Sequence, residues 1–355
     1  MIQNTGEIRH EVVRPRSQML AICRFFLLIY FALLQSSWSE EICAEQVYPL
    51  KSEDTSSDSF QNPVCLPNKR LAFTVWHNGY NGWDKEGRSQ IRSADIYIID
   101  PSKRRKEITV LAPKGVDKVN NIGHAAFGDY IAYNCNWSKI CISNVKRPNE
   151  FRMFERPADK SEGRFQEPVF DPTGKHIAFE WTKEEDEQKD TGTADICTMD
   201  IDGSNLRCAG YEGYNKQPDW SPKGDRIVFQ RQCGKECWHL WIAKTNLDGS
   251  LNRESTVQLT KEHPTNTDAS WSPNGDSIIY SCGDDSKAMI CVTDAMGGDR
   301  AVLLPEVNAH YNGAVSWCND GYVYFEAGQA SKPQQPTTIC RVPAPGRKIK
   351  PGKEH

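Results

Sequence analysis

The stretch Pro218-Asp-Trp-Ser-Pro-Lys-Gly-Asp-Arg-Ile-Val-Phe229 decides the fold, because the chain repeats it. Close copies run over residues 168–179 and 269–280, and weaker copies lie at residues 63–73, 125–133 and 315–325. The positions that align with Trp220 are 65, 127, 170, 271 and 317, so the repeat recurs about every 43 to 62 residues. A period of this length is typical of folds in which each repeat forms one four-stranded unit.

Each repeat predicts short strands joined by turns. In the Ser-Pro-x-Gly segment the proline fixes φ and the glycine permits a positive φ, so the chain reverses direction. The strand after this turn is apolar, as in Ile227-Val-Phe229. A third strand follows around Leu240-Trp241, and Asp248-Gly249 then leads into a fourth. Six repeats of four antiparallel strands predict an all-β, six-bladed β-propeller over residues 61–345.

The Trp-Ser-Pro-x-Gly-x-x-Ile pattern resembles the WD40-like (PD40) repeat of the TolB-like propellers, over roughly residues 61–343. Related propellers in prolyl peptidases carry a serine hydrolase domain, but this chain has no Gly-x-Ser-x-Gly segment. The repeat also resembles that of pectate-fragment lyases, which hold a metal through several histidines at the channel mouth. The resemblance therefore implies the fold, and function has to be argued from the site.

Composition and the N-terminus suggest a compartment. The chain has 355 residues with 43 Lys+Arg against 47 Asp+Glu, a balance that argues against nucleic acid as a partner. Basic residues precede the apolar run Phe25–Leu34, which is too short to span a bilayer. We expect residues 1–38 to be an N-terminal extension with a signal peptide, and the protein to be secreted without stable membrane insertion.

Thirteen cysteines fit an oxidising compartment. Removal of Cys23 with the signal leaves twelve, an even number that predicts six disulfides. Zinc is the alternative, but the close spacing of Cys233 and Cys237 has no second half with matching ligands. The repeat positions predict the pairs Cys135–Cys141, Cys282–Cys291, Cys197–Cys208, Cys233–Cys237, Cys65–Cys318 and Cys43–Cys340.

The last of these pairs belongs to a predicted closure of the ring. The sixth repeat lacks a fourth strand of its own, and an unpaired strand edge needs to be covered. The segment Glu41-Ile-Cys-Ala44 resembles Leu206-Arg-Cys-Ala209, the fourth strand of the third repeat. We therefore expect residues 39–60 to supply a closing strand and a linker, with a basic flexible tail at residues 346–355.

The loops that enter the first strands share one end of a propeller, here called the channel mouth. The position three residues before each aligned site is polar or ionisable in five of six repeats, which predicts a binding site. These positions are Asn62, His124, Glu167, Gln217 and Asp268, with Ala314 in the sixth repeat. Tyr80 and Trp83 lie on a glycine-rich loop at the same end, where aromatic rings are suited to stacking on a sugar or a side chain. Asn136-Trp-Ser138 is an N-glycosylation sequon.

These features predict a non-catalytic binding module that recognises an extracellular protein or glycan at the channel mouth. One alternative is an extracellular hydrolase or lyase that acts on polysaccharide through Glu167, Asp268 and His124. Another is a structural component of an extracellular matrix. No cofactor is predicted, although a divalent cation at the channel mouth is a further alternative. The sequence does not identify the ligand or the oligomeric state.

Overall fold

The structure is a computed structural model that describes residues 45–49, 58–76, 94–103, 108–111, 119–136, 139–155, 163–186, 191–284, 287–297, 300–304, 310–329 and 337–346. This part of the chain contains no α-helix and no helix able to cross a membrane. Its single helical element is a 3-10 turn at Pro67–Lys69. The predicted signal segment lies outside the described residues, as do residues 347–355 of the tail.

Twenty-four strands make up the described structure. They are β1 (Gln46–Tyr48), β2 (Ser59–Cys65), β3 (Leu71–Trp76), β4 (Ala94–Ile99), β5 (Thr109–Leu111), β6 (Val119–Phe127), β7 (Tyr130–Cys135), β8 (Lys139–Asn144), β9 (Arg147–Phe154), β10 (Arg164–Phe170), β11 (His176–Asp186), β12 (Thr191–Asp200), β13 (Arg207–Cys208), β14 (Asn215–Trp220), β15 (Arg226–Gly234), β16 (Cys237–Thr245), β17 (Leu251–Gln258), β18 (Thr265–Trp271), β19 (Ser277–Asp284), β20 (Lys287–Asp294), β21 (Arg300–Leu304), β22 (His310–Trp317), β23 (Tyr322–Gln329) and β24 (Thr338–Pro343). The prediction of an all-β propeller is confirmed.

The hydrogen-bonded sheets number four in the described residues, and not the six that one separate sheet per predicted blade would give. Two sheets have four strands, β1-β24-β23-β22 and β10-β11-β12-β13. The other two have eight strands each, over β2–β9 and β14–β21. Single bridges make these sheets continuous: Trp238 pairs with Thr265 between β16 and β18, and Ala94 pairs with Val119 between β4 and β6.

The strands that begin each repeat form the centre of the molecule. Each contacts the next in a closed ring, in the order β2, β6, β10, β14, β18, β22 and back to β2. The strands that follow the repeat turns pack behind them and are buried on both faces. Their central triplets are at most 1% exposed, at residues 71–73, 131–133, 177–179, 227–229, 278–280 and 323–325. The repeated apolar segment therefore supplies the core between the sheets.

The turn glycines have the conformation that the repeat predicts. Gly174, Gly224 and Gly275 lie at φ of 68°, 74° and 72°, in the left-handed region that glycine adopts without steric cost. At Gly174 the fit is also close, because a Cβ there would lie 2.4 Å from the ring of Phe127. A side chain at this position would therefore displace Phe127 as well as strain the turn.

An N-terminal strand closes the last sheet, as predicted, although with different residues. Strand β1 pairs antiparallel with β24, and Gln46 lies opposite Cys340. Glu45 forms an ion pair with Arg341 beside this strand. The predicted closing segment, residues 41–44, lies outside the described residues.

Five of the six predicted disulfides are present in the described residues. The pair Cys197–Cys208 is directly cross-strand between β12 and β13, with Cα atoms 3.9 Å apart. Cys340 is also disulfide-bonded, and its predicted partner Cys43 lies outside the described residues. The other four pairs are Cys65–Cys318, Cys135–Cys141, Cys233–Cys237 and Cys282–Cys291.

Candidate functional site

Five of the six predicted channel-mouth ring positions share an unusual backbone conformation. Each lies in a first strand of the ring with a φ between 44° and 54°, in the left-handed region. A non-glycine residue rarely adopts this conformation, and its cost of roughly 1–3 kcal/mol has to be offset by the surrounding structure. The residues are Asn62, Glu167, Gln217, Asp268 and Ala314.

This conformation accompanies a bulge in each first strand. The pairing of β10 with β11 shifts register between Gln166 and Val169, on either side of Glu167. Equivalent shifts occur in β2, β14, β18 and β22. A bulge interrupts the ladder and redirects a side chain, and bulges are frequent next to functional sites. The repeat therefore gives the same local geometry to all five positions.

A hydrogen bond to the preceding group of strands holds four of these residues. The backbone N–H of Gln217 donates to Glu180 Oε2 over 3.1 Å, and that of Glu167 donates to Asn134 Oδ1 over 3.0 Å. The N–H of Asp268 donates to Gln230 Oε1 over 3.1 Å, and the N–H of Asn62 donates to Glu326 Oε2 over 3.3 Å. We call these four contacts the latches. Each satisfies an N–H that the bulge removes from the strand ladder.

Sequence reasoning missed the four acceptors of the latches. Each directly follows the aromatic residue of a second strand, as Glu180 follows Phe179. They are buried, with Glu180 2% exposed and Glu326 5% exposed. The signal was present in the repeat, since Thr74 and Ser281 supply polar residues at the same place in the other two copies. A polar residue that recurs inside an apolar strand needs a hydrogen-bond partner.

A carboxylate and a lysine, Glu180 and Lys216, interact beside the latch between Glu180 and Gln217. Thr182 Oγ1 lies 2.9 Å from Glu180 Oε1, and Lys216 Nζ lies 4.4 Å above the ring of Tyr214. Burial alone would lower the pKa of Lys216, but the charge of Glu180 and the contact with Tyr214 outweigh it and raise that pKa. Lys216 is therefore a cation at neutral pH.

A second pairing of a cation with an aromatic ring lies at the same end of the molecule. Lys183 Nζ is 4.7 Å from the centre of the Trp181 ring, on the part of β11 that pairs with the start of β10. Both side chains are partly exposed. Aromatic rings beside cations are frequent in surfaces that bind proteins or sugars.

A third aromatic cluster at this end is filled by a residue of the protein itself. The Arg231 guanidinium lies 4.4 Å from the ring centre of Trp241 and 4.8 Å from that of Tyr211. Its Nε donates to Asn215 Oδ1 over 2.7 Å. Burial lowers the pKa of Arg231. Because the rings already enclose this side chain, we assign the cluster to packing.

The alternative with catalytic carboxylates depends on Glu167 and Asp268. Both are 8% exposed and occupy equivalent bulges, but they lie on β10 and β18, between which β14 is placed in the ring. The side chain of His124, the third residue of this alternative, lies outside the described part of the molecule, as do Tyr80 and Trp83.

Three groups of described side chains bring ligand atoms close enough to share a metal ion, and none includes a channel-mouth residue. Each contains the two cysteines of one disulfide, Cys233–Cys237, Cys282–Cys291 or Cys197–Cys208. In this state their sulfur atoms are bonded to one another and are not thiolate ligands.

A cavity of about 380 Å³ lies away from the channel mouth. Its aromatic lining comes from Phe127, Tyr130, Phe151 and Phe170, near the turn that joins β10 to β11. None of the channel-mouth residues contributes to it. This cavity and the ring of channel-mouth residues are therefore separate features of the molecule.

Solved structures share this architecture. A protein from Agrobacterium tumefaciens assigned as TolB matches 81% of this chain and 91% of its own, with a TM-score of 0.54 at 17% identity. The fold is that of the TolB-like propellers. TolB from Acinetobacter baumannii matches 70% of this chain at 17% identity with a TM-score of 0.49, and this chain spans 54% of its length. An oligogalacturonate lyase from Vibrio parahaemolyticus matches 82% of this chain and 79% of its own, with a TM-score of 0.51 at 10% identity. No family model and no curated protein matches the sequence.

Of the predicted sequon in this TolB-like fold, the structure describes Asn136. Asn136 follows β7 and has a φ of 44°, and its side-chain amide lies 4.0 Å from Met153 Sδ. Trp137 and Ser138 lie outside the described residues.

Proposed function

We propose that this TolB-like chain is a secreted, disulfide-stabilised binding module that recognises an extracellular protein or glycan at its channel mouth. The observation that supports this most is the repeated bulge, which presents Asn62, Glu167, Gln217 and Asp268 in equivalent positions around one ring. Polar side chains that recur around one ring can each give a hydrogen bond to the same ligand.

Two further observations favour binding at this end. Gln217 Oε1 is buried and has no hydrogen-bond partner within the described part of the chain, so it can accept a hydrogen bond from a ligand. Two cations, Lys216 on β14 and Lys183 on β11, each lie beside an aromatic ring at this end of the molecule. Together these groups suit a partner with hydroxyl or carboxylate groups, such as an acidic glycan or an acidic protein segment.

The proposal includes six blades. Each eight-stranded sheet divides at one bridge into two groups of four strands, and the six first strands close the ring. Secretion and glycosylation at Asn136 also belong to the proposal. Five disulfides support an oxidising compartment. A loss of mass on N-glycosidase treatment of protein secreted from eukaryotic cells would establish the glycan, and an unchanged mass would refute it.

The binding site is tested with the double variant Glu167→Gln/Asp268→Asn. Both changes preserve side-chain size and leave the latches intact, because the latches use backbone N–H groups. We expect at least a tenfold loss of affinity for ligands found on arrays of extracellular proteins and glycans. Asp225→Asn/Glu254→Gln is the matched control, since it removes two charges from exposed positions elsewhere on the chain. Equal binding by both double variants would refute the site.

The same preparation tests for catalysis. The wild-type protein is incubated with polysaccharide and peptide panels, and product formation is followed by mass spectrometry. The proposal predicts retained ligand without turnover. Turnover that the double variant loses while binding persists would instead support a hydrolase or lyase.

A further inference from the structure

The hairpin between β15 and β16 carries the most accessible disulfide. Cys233 and Cys237 are bonded across its tip with Cα atoms 5.1 Å apart, and Gly234 pairs with Cys237. Cys233 is the one described cysteine that is exposed, whereas most of the others are buried. Exposed disulfides are the ones that exchange with thiols in solution.

The hairpin does not depend on this bond for its structure. Strands β15 and β16 pair continuously from Arg226–Lys244 to Gln232–Trp238, before the disulfide is reached. The cysteines are four positions apart, the shortest separation among the described disulfides. A bond that closes so short a loop restricts the unfolded chain least. We therefore expect the fold to survive reduction here.

His239 supplies a third ligand atom beside the two sulfur atoms. It lies two residues beyond Cys237 on β16, and its ring nitrogen and both Sγ atoms all lie within 4.8 Å of one another. Its Nδ1 is 3.1 Å from Asn266 Nδ2, and that amide also donates to His263 O over 2.7 Å. The imidazole is thus held close to the disulfide by a residue of the neighbouring strand β18.

We propose that reduction of Cys233–Cys237 creates a Zn²⁺ site formed by both cysteines and His239. Two cysteine sulfurs and one imidazole are ordinary zinc ligands, and three protein ligands leave a fourth position for water. The proposal is independent of the channel-mouth function and uses none of its residues.

The reaction is a thiol exchange followed by metal binding. A low-molecular-mass thiol attacks one sulfur, and a second molecule of the same thiol releases the mixed disulfide. The protein gains two electrons and two protons as two thiols, and the two reductant molecules become one disulfide. Zn²⁺ then binds the two thiolates and the imidazole, and two protons pass to solvent.

The other two groups with metal-ligand spacing do not offer the same chemistry. Cys282 and Cys291, beside His263, are buried, and so is Cys197, whose bond to Cys208 lies beside Asp195. Reduction of either pair would require the core to open. These two groups therefore serve as internal controls for the exposed one.

The test uses the secreted protein without Cys23, treated with a low concentration of a monothiol until two new thiols per molecule are titrated. Peptide mapping should place both thiols at Cys233 and Cys237. Zn²⁺ alone is then titrated against a chromogenic chelator, and Co²⁺ provides a second probe through its thiolate charge-transfer band. We expect one equivalent of metal in the reduced protein and none in the oxidised protein.

The variants separate the proposed ligands from their neighbours. His239→Gln should weaken Zn²⁺ binding at least tenfold and reduce the intensity of the Co²⁺ ligand-field bands. His263→Gln, the matched control, should bind as the wild type does. Mapping of the first thiols to another pair, absence of metal binding by the reduced protein, or equal affinity in His239→Gln would each overturn the proposal.

Discussion

Glu180 Oε2 accepts a hydrogen bond from the backbone N–H of Gln217 over 3.1 Å, and so joins the buried strand of one repeat to the ring position of the next. Three other pairs repeat the contact at equivalent places. In four of the repeats, one polar residue thus performs two tasks. It connects neighbouring groups of strands, and it holds the bulge that presents a channel-mouth side chain.

Removal of a latch acceptor should destabilise the fold. For Asn134→Ala we expect a loss of about 1–3 kcal/mol, because the N–H of Glu167 would be left buried without an acceptor. Urea denaturation measures the change. Glu254→Ala, at an exposed position, should cost less than about 0.5 kcal/mol. A loss at Asn134 no larger than that of the control would show that the latch contributes nothing.

The buried carboxyl of Asp219 should make stability depend on pH. Burial raises the pKa of Asp219 to about 7, although its oxygens accept hydrogen bonds from the N–H groups of Trp271 and Trp220. Between pH 4 and pH 7 the folded state holds a proton that the unfolded chain has released, so stability falls as pH rises. The slope is at most about 1.4 kcal/mol per pH unit.

The variant Asp219→Asn isolates this contribution, because an amide does not titrate. Urea denaturation of both proteins at pH 5 and pH 7 gives the difference in unfolding free energy at each pH. We expect the wild type to lose about 2 kcal/mol relative to the variant between these two values. A difference that stays constant with pH would contradict the raised pKa.

The closing strand should be essential for stability. Tyr48 on β1 is 3% exposed and packs against Phe60 and Phe73, with ring centres 5.0 and 5.2 Å away. Tyr48→Ala should cost about 3 kcal/mol through lost burial and a cavity. Val110→Ala, at a position 44% exposed, provides the comparison. Similar denaturation midpoints for the two variants would indicate that β1 does not secure the sheet edge.

The disulfides should differ widely in their contribution. Cys65 at the end of β2 is bonded to Cys318, the residue after β22, across a sequence separation of 253 residues. The separation between Cys233 and Cys237 is 4 residues. In the chain-entropy account these loops correspond to about 5.5 and about 2 kcal/mol. Double serine variants, compared by denaturation without reductant, should follow that order. The reverse order would show that strain or local packing outweighs loop closure.

The sequence was most informative where the determinants are local. The turn glycines, the apolar second strands and the pair Cys197–Cys208 depend on residues close in the chain, so their pattern predicted them. The latches join residues such as Glu180 and Gln217, whose contact depends on how neighbouring sheets pack. Nothing in the local pattern predicts a positive φ at Glu167, because glutamate has no preference for that region.

Two further differences between the predicted and the observed structure also involve features that the repeat pattern does not contain. The continuous eight-stranded sheets depend on single bridges such as Trp238 with Thr265, which a repeat pattern cannot indicate. The closing strand has only three residues, Gln46–Tyr48, too few to show an alternating pattern. Because residues 41–44 resemble residues 206–209, the closing strand was predicted at 41–44. The observed strand β1 begins shortly after them, at Gln46.

Site-specific photo-cross-linking tests the channel-mouth site most directly. A benzophenone amino acid is placed at Glu212, an exposed position in the loop that enters β14 at the channel mouth, or at Lys223, in the turn between β14 and β15 at the opposite end. Both proteins are incubated with the ligand that the arrays select and are then irradiated. We predict a covalent adduct from position 212 and none from position 223. An adduct from position 223 alone would contradict binding at the channel mouth.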